Sequence, residues 1–333
     1  MFYISSIGHS ASLWLSTALS SHQKIICWHG NRSIPPYDSG TNDLSEDEFV
    51  KGLLACEQNW KMGKKVFGSC HGFHGVKLLN YVKKYKGTFL AITRNPINKI
   101  HSYTSQYLEI SNRRNVYTNY KFDVVKFYNE YSDEINANFK TVFEKKKEKR
   151  TSRKFLIDKL KDFGIYSSLK KTHKYLITNK KKIVPKIEDQ TRETKVTNIS
   201  IKKLIKIFGI DYITNKIISS FLNSTDMIFD YDEEIYNKTG SKAFISMEKM
   251  TTSSTYFNND IFKKIMNESA DKKYLKKIFM IKKSNRHTYK KISTSDIFKN
   301  WPKSYKNYFS TKYEKNKIKK LYNDMNYQIE KII

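Results

Sequence analysis

Cysteine is scarce in this chain of 333 residues, and the three present, Cys27, Cys56 and Cys70, are odd in number and scattered. That argues against a disulfide framework and leaves no ligand spacing typical of a metal site. Cys70-His71 followed by His74 is the one local cluster of such residues. A reducing, cytoplasmic setting is the expectation. No apolar run approaches the ~20 residues of a membrane span. Residues 2–7 are too short, and lack the preceding basic residues, to serve as a secretion signal. Two phosphate-binding signatures are also missing. There is no GxxxxGK followed by Ser or Thr, and no GxGxxG, which argues against a magnesium-dependent ATPase and against a Rossmann dehydrogenase.

Acidic residues are few, 32 against 62 Lys and Arg, for a formal net charge of +30. Such a balance favours anionic partners. Half of the excess lies in residues 140–210, which hold 22 Lys and Arg and 7 Asp and Glu. The charge therefore describes that segment more than the whole chain, and a lysine-rich genomic composition produces the same pattern. With 39% hydrophobic and 28% charged residues, the composition suits a soluble globular protein able to bury a full core.

Residues 2–7 read as a short apolar strand, Gly8 to Ser12 as a small-residue turn, and Leu13 onward as a helix. A strand running through such a turn into a helix N-terminus leaves backbone N–H groups without intrahelical partners, at the end of the helix dipole that favours anions. An ordinary βα turn has the same pattern. Further strands are expected at Lys24 to His29, Lys64 to Gly68 and Thr88 to Thr93, with helices after each. Ser45 with Glu48 marks one helix start as a capping box. Arg94-Asn95-Pro96 follows the fourth strand, and Ile97, Ile100 and Thr104 share one helix face. The alternation predicts a three-layer α/β/α arrangement around a mostly parallel sheet. Residues 109–226 read as a lysine-rich helical insertion or lid with little proline. Strand character returns at Lys242 to Met247, followed by a helix through Phe257, Ile261, Phe262 and Ile265, a loop from Ser284 to Asn300, and a last helix from Tyr305. The chain is thus expected to be one domain over residues 1–330, its core split into 1–108 and 242–330.

Two loops at strand carboxyl ends stand out, where open parallel sheets bind ligands. The first offers His9, the Ser10 and Ser12 hydroxyls and backbone N–H groups. The second offers Arg94, with Ser102 two helical turns on, in a pattern that suits a phosphate fork.

These residues resemble the sulfotransferases that use 3'-phosphoadenosine 5'-phosphosulfate (PAPS). Their first motif runs Lys or Arg, Ser, Gly, two Ser or Thr, Trp, Leu; His9-Ser10-Ala11-Ser12-Leu13-Trp14-Leu15 is similar to it, with His9, Ala11 and Leu13 as departures. Their second motif, R-N/D-P-x5-S-x-Y, is matched by Arg94-Asn95-Pro96 through Ser102-Tyr103. The resemblance implies a P-loop-like nucleotide-binding core. It also implies that His9, Ser10, Ala11, Ser12 and Leu13 cradle the 5'-phosphosulfate, that Trp14 lies near the adenine, and that Arg94 and Ser102 hold the 3'-phosphate. Family members place a catalytic histidine in a loop between these motifs, where His71 falls, with His74 behind it; His9 would supply charge to the transferring group. Phe244 to Met250, with Glu248, looks like the family's late strand and acidic residue. Arg286 and Trp301 would belong to the segment closing over the nucleotide. The resemblance covers residues 2–108 and 242–310.

The implied reaction is metal-free transfer of a sulfuryl group from PAPS, leaving adenosine 3',5'-bisphosphate, to a hydroxyl or amine of a carbohydrate or other small molecule. A basic lid would suit an anionic glycan, and nucleic acid is not the expected partner. Two rival readings follow from the same residues. One is a metal-dependent small-molecule kinase or phosphoryl transferase. The other is a non-enzymatic polyanion-binding protein that uses residues 140–210, where Phe163, Tyr166 and Tyr175 sit among the lysines.

Overall fold

The computed structural model describes residues 1–8, 10–29, 46–59, 66–70, 76–106, 108–111, 117–162, 195–281 and 292–333. The chain forms two compact units. Met1–Tyr103, Ser224–Lys299 and Lys306–Ile333 make the first, and Thr104–Asn223 with Asn300–Tyr305 the second.

The first unit is an α/β fold around a five-stranded, all-parallel sheet. In chain order its elements begin β1 (Phe2–Ser5), α1 (Ser12–Ser20), β2 (Ile25–His29), α2 (Glu46–Asn59), β3 (Val66–Cys70), α3 (Val76–Lys84), β4 (Thr88–Thr93) and α4 (Pro96–Gln106). The expected late strand is Phe244–Ser246. It adds parallel to β4, with Ala91 opposite Phe244, and completes the order β2, β3, β1, β4, late strand. Because every strand is parallel, all five carboxyl ends share one edge of the sheet.

The strands are nearly continuous apolar runs because helices cover both faces. β1 is buried throughout, and its side chains alternate. Phe2 and Ile4 join Leu90, Ile92 and Ile245 in a core with Trp14, Leu15, Ala18 and Leu19 of α1. Phe257, Ile261, Phe262 and Ile278 complete that core. Tyr3 points to the opposite face, 6.0 Å between ring centroids from Phe49 of α2 and 6.1 Å from Phe89. Each fully buried Leu, Ile or Phe contributes roughly 1.5–3 kcal/mol, so these two layers dominate the stability of the unit. Gly68 allows β1 and β3 to pack closely, since a Cβ there would lie 2.3 Å from the Phe2 ring.

The second unit contains a three-stranded sheet of Leu108–Ser111, Tyr117–Lys121 and Lys195–Asn198, the first pair antiparallel and the second parallel. Its helices include Ser132–Asp162 and Ile201–Phe208. Tyr305 stacks on Phe221 at 3.8 Å between centroids and meets Tyr128 edge-on. The sequence reading anticipated helices here and missed the strands. They are four or five polar-rich residues long, and the third pairs across a long separation that no local periodicity displays. A short helix, Thr294–Lys299, also lies where a loop was expected. Among the described residues, no helix is long and apolar enough to cross a membrane.

Candidate functional site at the carboxyl edge of the sheet

The loop from β1 into α1 ends on Ala11, which adopts the left-handed conformation at φ 55°, ψ 26° and carries no side-chain cap for the helix. An L-residue pays about 1–2 kcal/mol for that conformation, and glycine would pay far less. Leu15 N–H closes the first helical bond, onto Ala11 O at 3.0 Å, so the N–H groups of Ser12, Leu13 and Trp14 form the open first turn. Five other helices among the described residues are capped by a side chain, although Lys263–Met266 and Lys319–Asp324 are not. Asp123, Ser200, Ser246, Ser253 and Asp271 each accept a hydrogen bond from a first-turn N–H. The α1 terminus therefore keeps the donor set and dipole end that an anion needs.

Ser10 is buried, and its hydroxyl turns back on the loop, donating to Ile7 O at 3.0 Å and approaching Gly8 O at 3.2 Å. Ser12 Oγ instead lies 3.1 Å from Nε2 of His29, the last residue of β2. Leu13 is exposed, whereas Trp14 is buried with its ring between Phe257 and Phe279 at about 6 Å. The structure thus makes Trp14 a core residue under the loop, with 5% of its surface exposed. His9 lies outside the described residues.

At the end of β4, Arg94 is partly exposed, and Asn95 caps α4 by accepting from Ile97 N–H at 3.1 Å and Asn98 N–H at 3.4 Å. An anion at this point would rest on side chains, because Asn95 already occupies the backbone donors. Ser102 is also partly exposed, two turns along α4. The next residue, Tyr103, ties this helix to the first loop: a Cβ on Gly8 would lie 2.9 Å from the Tyr103 hydroxyl oxygen. Burial raises that hydroxyl to about 12, so it stays a neutral donor. Gly8 of the first loop therefore packs against α4, one residue beyond Ser102.

Glu248, just beyond the late strand, accepts from Asn95 N–H at 3.1 Å and from Ser246 Oγ at 3.4 Å. Burial lowers the Arg94 guanidinium, and the Glu248 carboxylate opposes that by favouring its charge. Tyr327 OH donates to Ser246 Oγ at 3.2 Å. The acidic residue of the late strand is thus joined to the Arg94-Asn95-Pro96 turn.

The third strand runs past its expected end at Gly68, and Ser69 and Cys70 are the last residues of β3. That puts the carboxyl end of β3 at the same edge of the sheet as those of β1 and β4. His71, His74 and Arg286 lie outside the described residues. Trp301 is buried in the second unit against Phe221.

Sequence reasoning missed a buried polar group beneath Arg94. Lys99 is fully buried on α4, and its Nζ has no hydrogen-bond partner among the described residues. It lies 5.7 Å from the centroid of the Tyr231 ring. Burial lowers its ammonium to about 8, partly offset by Asp232 and reinforced by the like charge of Arg94. Asp232 is fully buried as well; one oxygen accepts from Thr93 Oγ1 at 3.1 Å and Tyr322 OH at 3.0 Å, while Oδ1 has no partner. Burial raises this carboxyl despite those donors. Tyr231 OH donates to Ser5 Oγ at 2.7 Å, so the network joins the ends of β1 and β4. Its helical neighbours Asn95, Pro96, Ser102 and Tyr103 are mostly polar, so local sequence pattern did not mark it as buried.

No family model, curated protein or solved structure matches this chain.

Proposed function

We propose that this chain is a sulfotransferase, moving a sulfuryl group from PAPS to a hydroxyl or amine of a carbohydrate or other small-molecule acceptor. The observation that carries the reading is that two anion-suited groups follow the carboxyl ends of adjacent parallel strands, β1 and β4, at one edge of the sheet. The first turn of α1 is uncapped, and Gly8 before it packs against Tyr103 of α4, the helix that carries Ser102 and follows Arg94. Two such groups suit a nucleotide bearing phosphates at both its 3' and 5' ends.

The residues present fit that nucleotide. Ser12 and the first-turn N–H groups of α1 would hold the 5'-side, and Arg94 and Ser102 the 3'-phosphate. Arg94 is partly exposed, and Glu248 favours its charged form against the effect of burial. When bound, PAPS supplies the activated sulfuryl group. The chain's contribution is to fix the donor for in-line attack and to place hydrogen-bond donors where charge develops. His71 is assigned as the base for the acceptor from its place after β3, and His9 as a further charge in the first loop. The free thiols Cys27, Cys56 and Cys70 suit a reducing, cytoplasmic compartment.

The test is calorimetric titration of the purified chain with adenosine 3',5'-bisphosphate and with magnesium–ATP, repeated with Arg94→Ala. Micromolar binding of the bisphosphate without magnesium, lost in the variant, is the expected result. Equal or tighter binding of magnesium–ATP would sink the proposal. So would binding only to polyanions that ignores the substitution.

A further inference from the structure

The hydroxyl groups around the first loop are almost all committed. Ser6 donates to Ile7 O at 2.8 Å, Ser10 to Ile7 O at 3.0 Å, and Ser16 and Thr17 to Leu13 O at 3.0 and 2.9 Å. Each of these protons is spent on a backbone carbonyl, so the oxygen that remains presents lone pairs. An anion in the loop gains nothing from them. Ser12 differs, because its partner is an imidazole nitrogen, which can either donate or accept.

The two states of the pair have opposite consequences. If His29 Nε2 lacks a proton, Ser12 O–H donates to it and turns lone pairs toward the open first turn of α1. If Nε2 carries a proton, it donates to Ser12 Oγ, and the serine proton is released to point at the loop. Only the second state adds a side-chain donor to the backbone N–H groups of Ser12, Leu13 and Trp14. Ser12 is 8% exposed and is held at the first position of the helix, so its hydroxyl has few other directions available. His29 is exposed at the end of β2 and can exchange its proton with solvent.

We infer that His29 is a positioning residue of the donor site: its Nε2–H fixes the Ser12 proton toward the group bound in the β1–α1 loop. This rests on the sulfotransferase reading and extends it to a residue outside both sequence motifs. The ligand recognised is the 5'-phosphate end of an adenosine nucleotide, as distinct from the 3'-phosphate end assigned to Arg94 and Ser102.

Paired ligands separate the two ends. Titrations of adenosine 3',5'-bisphosphate and adenosine 3'-monophosphate are compared for the wild type, His29→Ala, Ser12→Ala, the double variant and His29→Gln. His29→Ala is expected to weaken the bisphosphate about tenfold, the scale of one charge-assisted hydrogen bond, and to leave the monophosphate unchanged. Ser12→Ala should match it, and the double variant should be no worse than either single one, because the two residues act through one proton. His29→Gln, whose amide nitrogen can replace Nε2–H, should retain most of the affinity. A thermal melt checks folding, which an exposed strand-end histidine should not disturb. The inference is overturned if His29→Ala leaves bisphosphate binding unchanged, if both ligands weaken equally, or if the two single losses add. A wild-type chain that binds neither nucleotide would instead overturn the functional reading, and this inference with it.

Discussion

Lys99 gives the sharpest quantitative handle on the site. Its ammonium is fully buried without a hydrogen-bond partner among the described residues, and burial lowers it from 10.5 to about 8. The unfolded chain therefore holds this proton more tightly than the folded one. Below about pH 8 both states are protonated and the folded state bears the full cost of the buried charge. Between about 8 and 10.5 the folded state sheds the proton first, so this group's contribution to stability rises with pH. At about 1.4 kcal/mol per unit, the interval from pH 8 to pH 9.5 corresponds to about 2 kcal/mol. Urea unfolding of the wild type and of Lys99→Met, measured from pH 7 to pH 9.5, isolates the effect, because other lysines and tyrosines titrate in both proteins. The wild type should gain about 2 kcal/mol on the variant across that range. A difference that stays flat within about 0.5 kcal/mol would refute the placement of Lys99 in a dry, unpaired environment.

Three further outcomes are expected. Ala11→Gly relieves the left-handed strain at the α1 N-terminus; after loss of a partly packed methyl group, a gain of up to about 1 kcal/mol in urea unfolding is expected, and a loss of that size would contradict the φ of 55°. Asn95→Ala removes the acceptor for two N–H groups of α4 and should cost about 1–2 kcal/mol by thermal or urea unfolding. In thiol labelling of the native protein at pH 8, Cys56 should react first. Cys27 and Cys70, buried and with thiols pushed up by burial, should react only on unfolding, and fast labelling of all three would contradict the packing of β2 and β3.

Much of the first unit was legible in local sequence. Apolar runs bounded by turn signals gave β1, β2 and β4, and the late strand at Phe244 stood out in the same way. The turn at Gly8 to Ser12 and the Arg94-Asn95-Pro96 junction were visible because glycine, proline and small polar residues mark where a strand hands over to a helix. The strands of the second unit were not legible. Tyr117–Lys121 has no apolar alternation, and its partner Lys195–Asn198 is far along the chain.

Of the candidate site, the sequence alone determined which residue types stand at the strand ends: serines and a helix start after β1, and an arginine followed by Asn-Pro after β4. Only the tertiary structure decided which of these groups act together. Gly8 meets Tyr103 and Ser12 meets His29, while Asn95 meets Glu248, and Lys99 is sealed beside Asp232. The physical reason is that a side chain's chemistry is written in its own residue, whereas its hydration and partners are set by elements that pack against it from elsewhere in the chain. Ala11 shows the division most plainly: its identity is local, but its strain comes from the path the loop must take between β1 and α1.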